Sequence, residues 1–521
     1  ISVALALGNM QWLHDALYGC QCNGTRRYGL VHQLRHDILS DGLHWERTLG
    51  YHYYTLMALT DIADMLKNSG IDIWHKYFPT LKQDDGEDLH RAYGPKGEKC
   101  LKSAYDAPFY TTFSSGDLSL LHDSGLVNLR GVHIWGIIYD KAYEAYRDSK
   151  YAWLINRIER EYGDNREYKN VPMSLQTHRG DLDFARLERI VYPSGSFSLA
   201  KNTQISVAGR HINCCSLFPV HGTAVLRTGP SLDANGAYIF FGPHAAGHQA
   251  PASLHIDICL GGRVVTGSPR LSGYDDPLYL TWGRTTVAHN TVVINKRSMF
   301  PYDFETESIW ECDRWRDNIS DGELVCFCPE GRLKIFRARN ENVYQSVTLD
   351  RTVAVASDYI IEIFRVISAR RCRMDWVVHL AGEITDIGGN KIKAVNPGNE
   401  RGYCHLKNAY KLLWKDVGTI LWGEVGSPAQ LEVAMPGNSY AIIADEPQVC
   451  KEKLLGEIGI HDEQTTLMVS LRSKNGLFVS VWSRKQDNIK LVKAVGRADS
   501  DVNVYLKKNS RKIKHVFKMQ L

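Results

Sequence analysis

The spacing of apolar residues changes once along this chain, and that change limits its possible folds more than any other feature. Up to about residue 170 the apolar side chains recur at helical spacing. YHYYTLMALTDIADMLKNSG (51–70) sets Leu56, Leu59, Ile62, Ala63 and Leu66 on one stripe and ends on Gly70, a helix stop. VHIWGIIYDKAYEAYRDSKYAWLINRIERE (132–161) repeats the pattern. Between them, DAPFYTTFSSGDLSLLHDSG (106–125) is rich in turn formers and predicts a loop facing a cleft. From about Pro193 short alternating runs take over, among them GTAVLRTG, GAYIFFG, SLHIDICLGG and TLMVSLRS, which predict a large antiparallel β-structure. The chain therefore reads as α+β and multidomain. The expected domains are 1–192, helical; 193–392, β; and 393–521, a smaller C-terminal β-domain set off by NKIKAVNPGNERG (390–402).

Composition narrows the function classes only slightly. The 521 residues suit two to four domains, and no stretch approaches the roughly 18 apolar residues of a membrane span. A net charge of +4 gives no argument for nucleic acid. The chain opens on Ile1, which we read as a mature or trimmed form. Its twelve cysteines, including Cys20 with Cys22 and Cys326 with Cys328, make no CxxC pair and are expected mostly as buried free thiols.

Three segments carry a resemblance: DGLHWERTLGYHYYTL (41–56), FGPHAAGHQAPASL (241–254) and GYDDPLYLTWGRTTVAHNTVVIN (273–295), with DWVVHL (375–380) a fourth, weaker match. In this order they resemble the heparinase II/III-like polysaccharide lyases, whose members include alginate, heparin and chondroitin lyases. The resemblance implies an N-terminal (α/α) toroid, incomplete here because the helical part is short, followed by an antiparallel β-sandwich. It also implies β-elimination at a uronic acid. That reaction removes the C5 proton, stabilises the resulting enolate of the carboxylate and protonates the departing O4.

Carried over residue by residue, the resemblance places a catalytic histidine at His52 and another at His248. A bottom-up reading of His52 alone gives a hydrogen-bonded core histidine among Tyr51, Tyr53 and Tyr54. The acid or base tyrosine of the helical domain falls on Tyr105 or Tyr110, with Tyr105 preferred. Tyr274 is the loop hydroxyl of the β-domain, with Tyr279 its competitor. Arg284 is placed either on the uronate or in a structural salt bridge, and His244 joins the substrate-binding candidates.

Relatives in this superfamily carry a zinc ion on His-x-His, an Asp about 18 residues later and the His of His-Asn-Thr. Here those positions read His248 and Ala250, then Ser268, then His289, so one ligand of the usual three remains. Zinc needs three or four such ligands. No metal or other cofactor is therefore expected, and His289 becomes a hydrogen-bonding anchor. Strand alternation would turn His255 and Asp257 away from Ala250 and deny them a substitute role.

The reading that follows is a lyase acting on an anionic, uronate-containing glycan, glycosaminoglycan ahead of alginate or another polyuronide. A uronyl C5-epimerase and an inactive glycan-binding relative are the alternatives. A polymeric substrate favours the periplasm or secretion, while the unpatterned cysteines leave the cytoplasm open.

Overall fold

The computed structural model describes residues 1–78, 99–122, 128–135, 138–162, 215–244, 248–269, 276–300, 320–389, 391–423, 427–447 and 464–519. By contacts the chain divides into two units. One is Ile1–Tyr110 with His122–His211 and Leu454–Gly456; the other is Thr111–Leu121 with Ile212–Lys453 and Glu457–Leu521.

The first unit is helical. Its described elements are α1 (Ser2–Ala6), α2 (Met10–Tyr18), a small ribbon of β1 (Cys20–Cys22) and β2 (Thr25–Arg27), α3 (Leu30–His36), α4 (Leu49–Asn68), α5 (Leu101–Thr111), α6 (Ile138–Tyr146) and α7 (Ser149–Tyr162). The stripe read from the sequence is the buried face of α4, where Leu56, Leu59, Ala63 and Leu66 are inside and Ile62 is half-buried. Gly70, at φ +84°, adopts the left-handed conformation that ends the helix.

The helical spacing of 132–161 is met by two helices, α6 and α7. A 3-10 stretch (Leu129–Trp135) precedes α6, and Arg147, at φ +52°, turns the chain before Asp148 caps α7 by accepting the Lys150 N–H at 3.2 Å. The predicted cleft loop at 106–125 begins as helix, because α5 runs through Pro108 to Thr111. Only from Thr111 does the chain become irregular, and it then belongs to the β-rich unit.

Among the described residues that unit holds three antiparallel sheets. The five-stranded sheet runs in order β3 (Ser216–Phe218), β4 (Thr223–Arg227), β5 (Gly236–Phe240), β6 (His255–Leu260) and β7 (Arg263–Val264). The twelve-stranded sheet takes in β8 (Val292–Ile294), β9 (Glu323–Cys328), β10 (Lys334–Asn340), β11 (Val347–Val355) and the long β12 (Tyr359–Ala381). It continues through β13 (Ile384–Asp386), β14 (Lys391–Ala394), β15 (Lys407–Leu412), β16 (Val417–Trp422), β17 (Ala429–Ala434), β18 (Tyr440–Asp445) and β19 (Gln464–Arg484). A three-stranded sheet of β20 (Ile489–Val495), β21 (Val502–Lys508) and β22 (Arg511–Phe517) follows.

Alternating side chains of the first two sheets share one apolar core, with Leu226, Ile239 and Ile256 on one side and Phe336, Leu349, Phe364 and Trp376 on the other. The boundary expected at residue 392 falls inside the twelve-stranded sheet. β12 pairs with β19 along nearly its whole length, so strands from both sides of the Pro/Gly-rich stretch are neighbours. The expected boundary at 192 lies outside the described residues.

Nine cysteines are described and all are free, but only Cys259 and Cys372 are buried; Cys328 and Cys404 are exposed. No described helix is long and apolar enough to cross a membrane.

Candidate active site

In the helical unit, His52 and Tyr105 are core residues. His52 is 1% exposed on α4. Its Nδ1 accepts the His44 N–H at 3.2 Å and its Nε2–H donates to the Ala104 carbonyl at 2.9 Å. That carbonyl would ordinarily receive the N–H four residues on, which is Pro108 and has none. The imidazole thus completes a helix that proline leaves short of one bond. Burial holds His52 down to about pKa 4, so it stays neutral, and taking a proton would break the His44 contact.

Tyr105 lies fully inside, stacked on Trp74 at 5.5 Å with its hydroxyl 2.6 Å from Thr60 Oγ1, and burial pushes the phenol well up. Tyr53, Tyr139 and Tyr151 fill the same core. Tyr110, five residues and so well over one turn of α5 later, is half-buried. The two tyrosines thus differ in burial. Residue spacing alone could not separate them; helical rotation does.

In the β-rich unit, the segment that begins at His248 is a turn. The strand expected there starts only at His255, because Leu254 sits at φ +57° and resets the side-chain alternation. His248 is half-buried at the head of this loop. Among the next six residues, Gln249, Pro251, Ala252, Ser253 and Leu254 each have a backbone atom held by a side chain from elsewhere. Arg284 Nη1 donates to the Gln249 carbonyl. Thr286 Oγ1 donates to the Pro251 carbonyl at 2.7 Å, and the Ala252 N–H donates to His244 Nε2 at 3.1 Å. Thr291 Oγ1 reaches the Ser253 carbonyl at 2.8 Å, and Arg351 Nη1 bonds to the Leu254 carbonyl. Ala250 itself packs into an apolar cluster with Phe113, Tyr238 and Phe240.

The structure places three more sequence candidates inside the β-rich unit. His244 is fully buried, with Nδ1–H donating to the Phe300 carbonyl at 3.2 Å, and both ring nitrogens serve the backbone. Arg284 is buried within the β-rich unit. Besides Gln249 it bonds the Tyr279 hydroxyl and lies over that ring at 4.9 Å, all 1% exposed. Tyr279, 4% exposed in a short π-helical turn (Tyr279–Gly283), is thereby committed to Arg284. Tyr274 lies outside the described residues.

The His-Asn-Thr segment is the hub beneath the loop. His289 Nε2–H donates to the Gly283 carbonyl at 3.0 Å, leaving Nδ1 as a buried lone pair without a partner. Asn290 saturates its side chain, giving Nδ2–H bonds to Gly267 O at 3.1 Å and Asp257 Oδ1 at 3.3 Å and accepting the His379 N–H at 2.7 Å. Asp257 also accepts from Ser119 at 2.6 Å and Thr266 at 3.0 Å. Burial alone would raise its carboxyl, but the His255 ring beside it and those bonds hold it below its ordinary value. Sequence reasoning missed Arg351, which carries no local motif.

The donor set does not fit zinc. Of the three positions implied, one is an alanine in an apolar cluster, one a serine hydroxyl and one His289. His255 does face His289, at 5.9 Å between ring centroids, contrary to the alternation argument. Its Nδ1, however, accepts the Asn290 N–H at 3.2 Å, so the proton lies on Nε2, 3.2 Å from Asp257, and no lone pair is offered there. Among the described residues no group of three or more His, Cys, Asp or Glu side chains is placed to hold a metal ion.

Comparison with known proteins agrees with this architecture. A heparan sulfate lyase from Pedobacter heparinus superposes at TM-score 0.58 and 12% identity, covering 93% of this chain and 60% of that one. A heparinase III matches at TM-score 0.56 and 13% identity over 94% of this chain and 62% of its own. The fold is that of the heparinase III-like polysaccharide lyases. In sequence, an exo-oligoalginate lyase from Saccharophagus degradans is 23% identical over 250 residues, 43% of this chain and 32% of that protein. This chain thus spans about a third of that alginate lyase and three fifths of the heparinase structures. No family profile matches it.

Proposed function

We propose that this chain belongs to a polysaccharide lyase that cleaves an anionic, uronate-containing glycan by β-elimination, with a glycosaminoglycan ahead of alginate or another polyuronide. The observation that carries the reading is His248: a half-buried imidazole heading a loop otherwise fastened by Arg284, Thr286, His244, Thr291 and Arg351, within a heparinase III-like fold. A rigid support with one accessible titratable group is what proton abstraction from C5 requires. The helical unit is read as part of an (α/α) toroid and the paired sheets as the β-sandwich. Tyr110 is the helical unit's candidate for protonating O4, and Tyr274 keeps its role as the β-domain hydroxyl. His52, Tyr105, His244, Arg284 and Tyr279 are assigned to support rather than chemistry. The protein works without a bound zinc, and its polymeric substrate places it in the periplasm or outside the cell.

Elimination leaves a 4,5-unsaturated uronate that absorbs in the near ultraviolet. Folded protein supplied in turn with heparan, chondroitin, hyaluronan, alginate and ulvan should raise that absorbance with at least one polymer. Solvent deuterium entering C5 without chain cleavage would replace the reading with an epimerase. Calorimetric binding with neither product would reduce it to a glycan-binding protein.

A further inference from the structure

A second reactive feature lies on β9, the outer strand of its sheet among the described residues. Leu324 and Phe327 both pack on the apolar core although they are three residues apart, a spacing that a regular strand would split between opposite faces. The pairing with β10 explains this. Cys326 faces Arg337 and Leu324 faces Ala338, so Val325 is an extra residue, a β-bulge that resets the alternation. Its effect is to turn Cys326 and Cys328 together to the other face. Their sulfurs are 3.3 Å apart, with Cys326 half-buried and Cys328 exposed. Two residues apart on a strand, their Cα atoms are separated by roughly 6.5 Å, inside the span of roughly 4.4–6.8 Å that a disulfide bridges.

We propose that Cys326 and Cys328 form a thiol–disulfide exchange site, with Cys328 the attacking thiol and Cys326 the resolving one. The co-reactant is a low-molecular-weight disulfide. The Cys328 thiolate attacks one of its sulfurs, forming a mixed disulfide and expelling one small thiolate. The Cys326 thiolate then attacks Cys328 Sγ, forming the intramolecular bond and expelling the second. Two protein thiols are oxidised, one small disulfide is reduced to two thiols, and the two protons of the protein thiols go to solvent or to the departing thiolates. The order of attack follows exposure, since Cys328 is open to solvent. It agrees with the chemistry of Cys326, whose thiol is raised to about 11 by burial and by Cys328 beside it. The second step starts with the sulfurs in contact at 3.3 Å and closes them to about 2.05 Å.

The test exposes the native protein to oxidised glutathione, alkylates the remaining thiols and weighs the peptide ending at Arg332, whose only cysteines are these two. Wild type should lose two hydrogens from that peptide, with the cyclised form at least tenfold over the glutathione adduct. Cys326→Ser should stop at the adduct on Cys328, and Cys328→Ser should react at least tenfold more slowly. Exposed Cys404 should stop at a mixed disulfide in every variant and serves as the internal comparator. The proposal is overturned if wild type accumulates the same stable adduct as Cys326→Ser, or if Cys328→Ser reacts as fast as wild type.

Discussion

Arg351→Met is the sharpest test of how the loop behind His248 is held. The guanidinium is completely buried, paired with Glu362 through Nε at 3.1 Å and through Nη2, and it bonds the Leu254 carbonyl and, at 2.7 Å, the Asn290 carbonyl. Methionine matches much of its volume but returns none of these bonds. Removing one partner of a buried pair costs about 3–5 kcal/mol, and stranding the buried Leu254 carbonyl adds roughly 1 kcal/mol, while the Asn290 carbonyl keeps the Ile256 N–H at 3.3 Å. A total of about 5 kcal/mol is expected, since part of the second cost is contained in the first. Spread over the roughly 320 residues of the β-rich unit, whose unfolding entropy is about 0.7 kcal/mol/K, this lowers Tm by about 7 °C. Thermal unfolding followed by near-ultraviolet circular dichroism reads it directly. Glu362 keeps bonds from Trp376 Nε1 and Ser480 Oγ, so Glu362→Gln retains its acceptor while losing the charge. The double variant R351M/E362Q should therefore be no less stable than R351M. A Tm loss under 1 °C for R351M, or strictly additive losses in the double variant, would refute the reasoning.

Three further outcomes are expected. His248→Ala and Tyr110→Phe should each lower lyase turnover at least a hundredfold with Tm unchanged, whereas Tyr105→Phe should keep turnover within a few-fold; steady-state kinetics on the responsive polymer decides. His52 is neutral when folded, at about 4 against 6.5 unfolded, so its contribution is complete above pH 6.5 and falls as pH drops toward 4, by about 3 kcal/mol in all. His52→Gln, which can still accept from His44 and donate to Ala104, should flatten the decline of Tm between pH 7 and 5. Elemental analysis of dialysed protein should find less than about 0.1 zinc per chain, and EDTA should leave Tm unchanged, because one histidine lone pair does not make a site.

The change of apolar period placed the helical and β-rich parts correctly because both signals are local: the α4 stripe and the alternating strands each announce themselves within a few residues. What stayed hidden depends on partners distant in sequence or on single backbone angles. Leu254 at φ +57° carries no residue-type warning, yet it moves the strand start and brings His255 to His289. Arg351 reaches a carbonyl 97 residues earlier, which no spacing rule anticipates. His52 lies in a stretch that matches a motif, yet its bond to Ala104 depends on Pro108, 56 positions away, which lacks the N–H that would have satisfied that carbonyl. Tyr105 and Tyr110 differ only in which side of α5 faces inward, and that depends on Trp74 and Thr60.

The long pairing of β12 with β19 has a practical meaning for anyone who would divide this protein. The Pro/Gly-rich stretch near residue 392 invites a cut, but a fragment ending there keeps β12 and loses the strand that covers most of one side of it. Such a fragment would present a long, apolar, hydrogen-bond-hungry border, the kind on which chains stack into aggregates. Expression, tagging or domain exchange should therefore treat residues 215–519 as one piece, and insertions belong in surface turns such as Gly437–Asn438 rather than at the apparent seam.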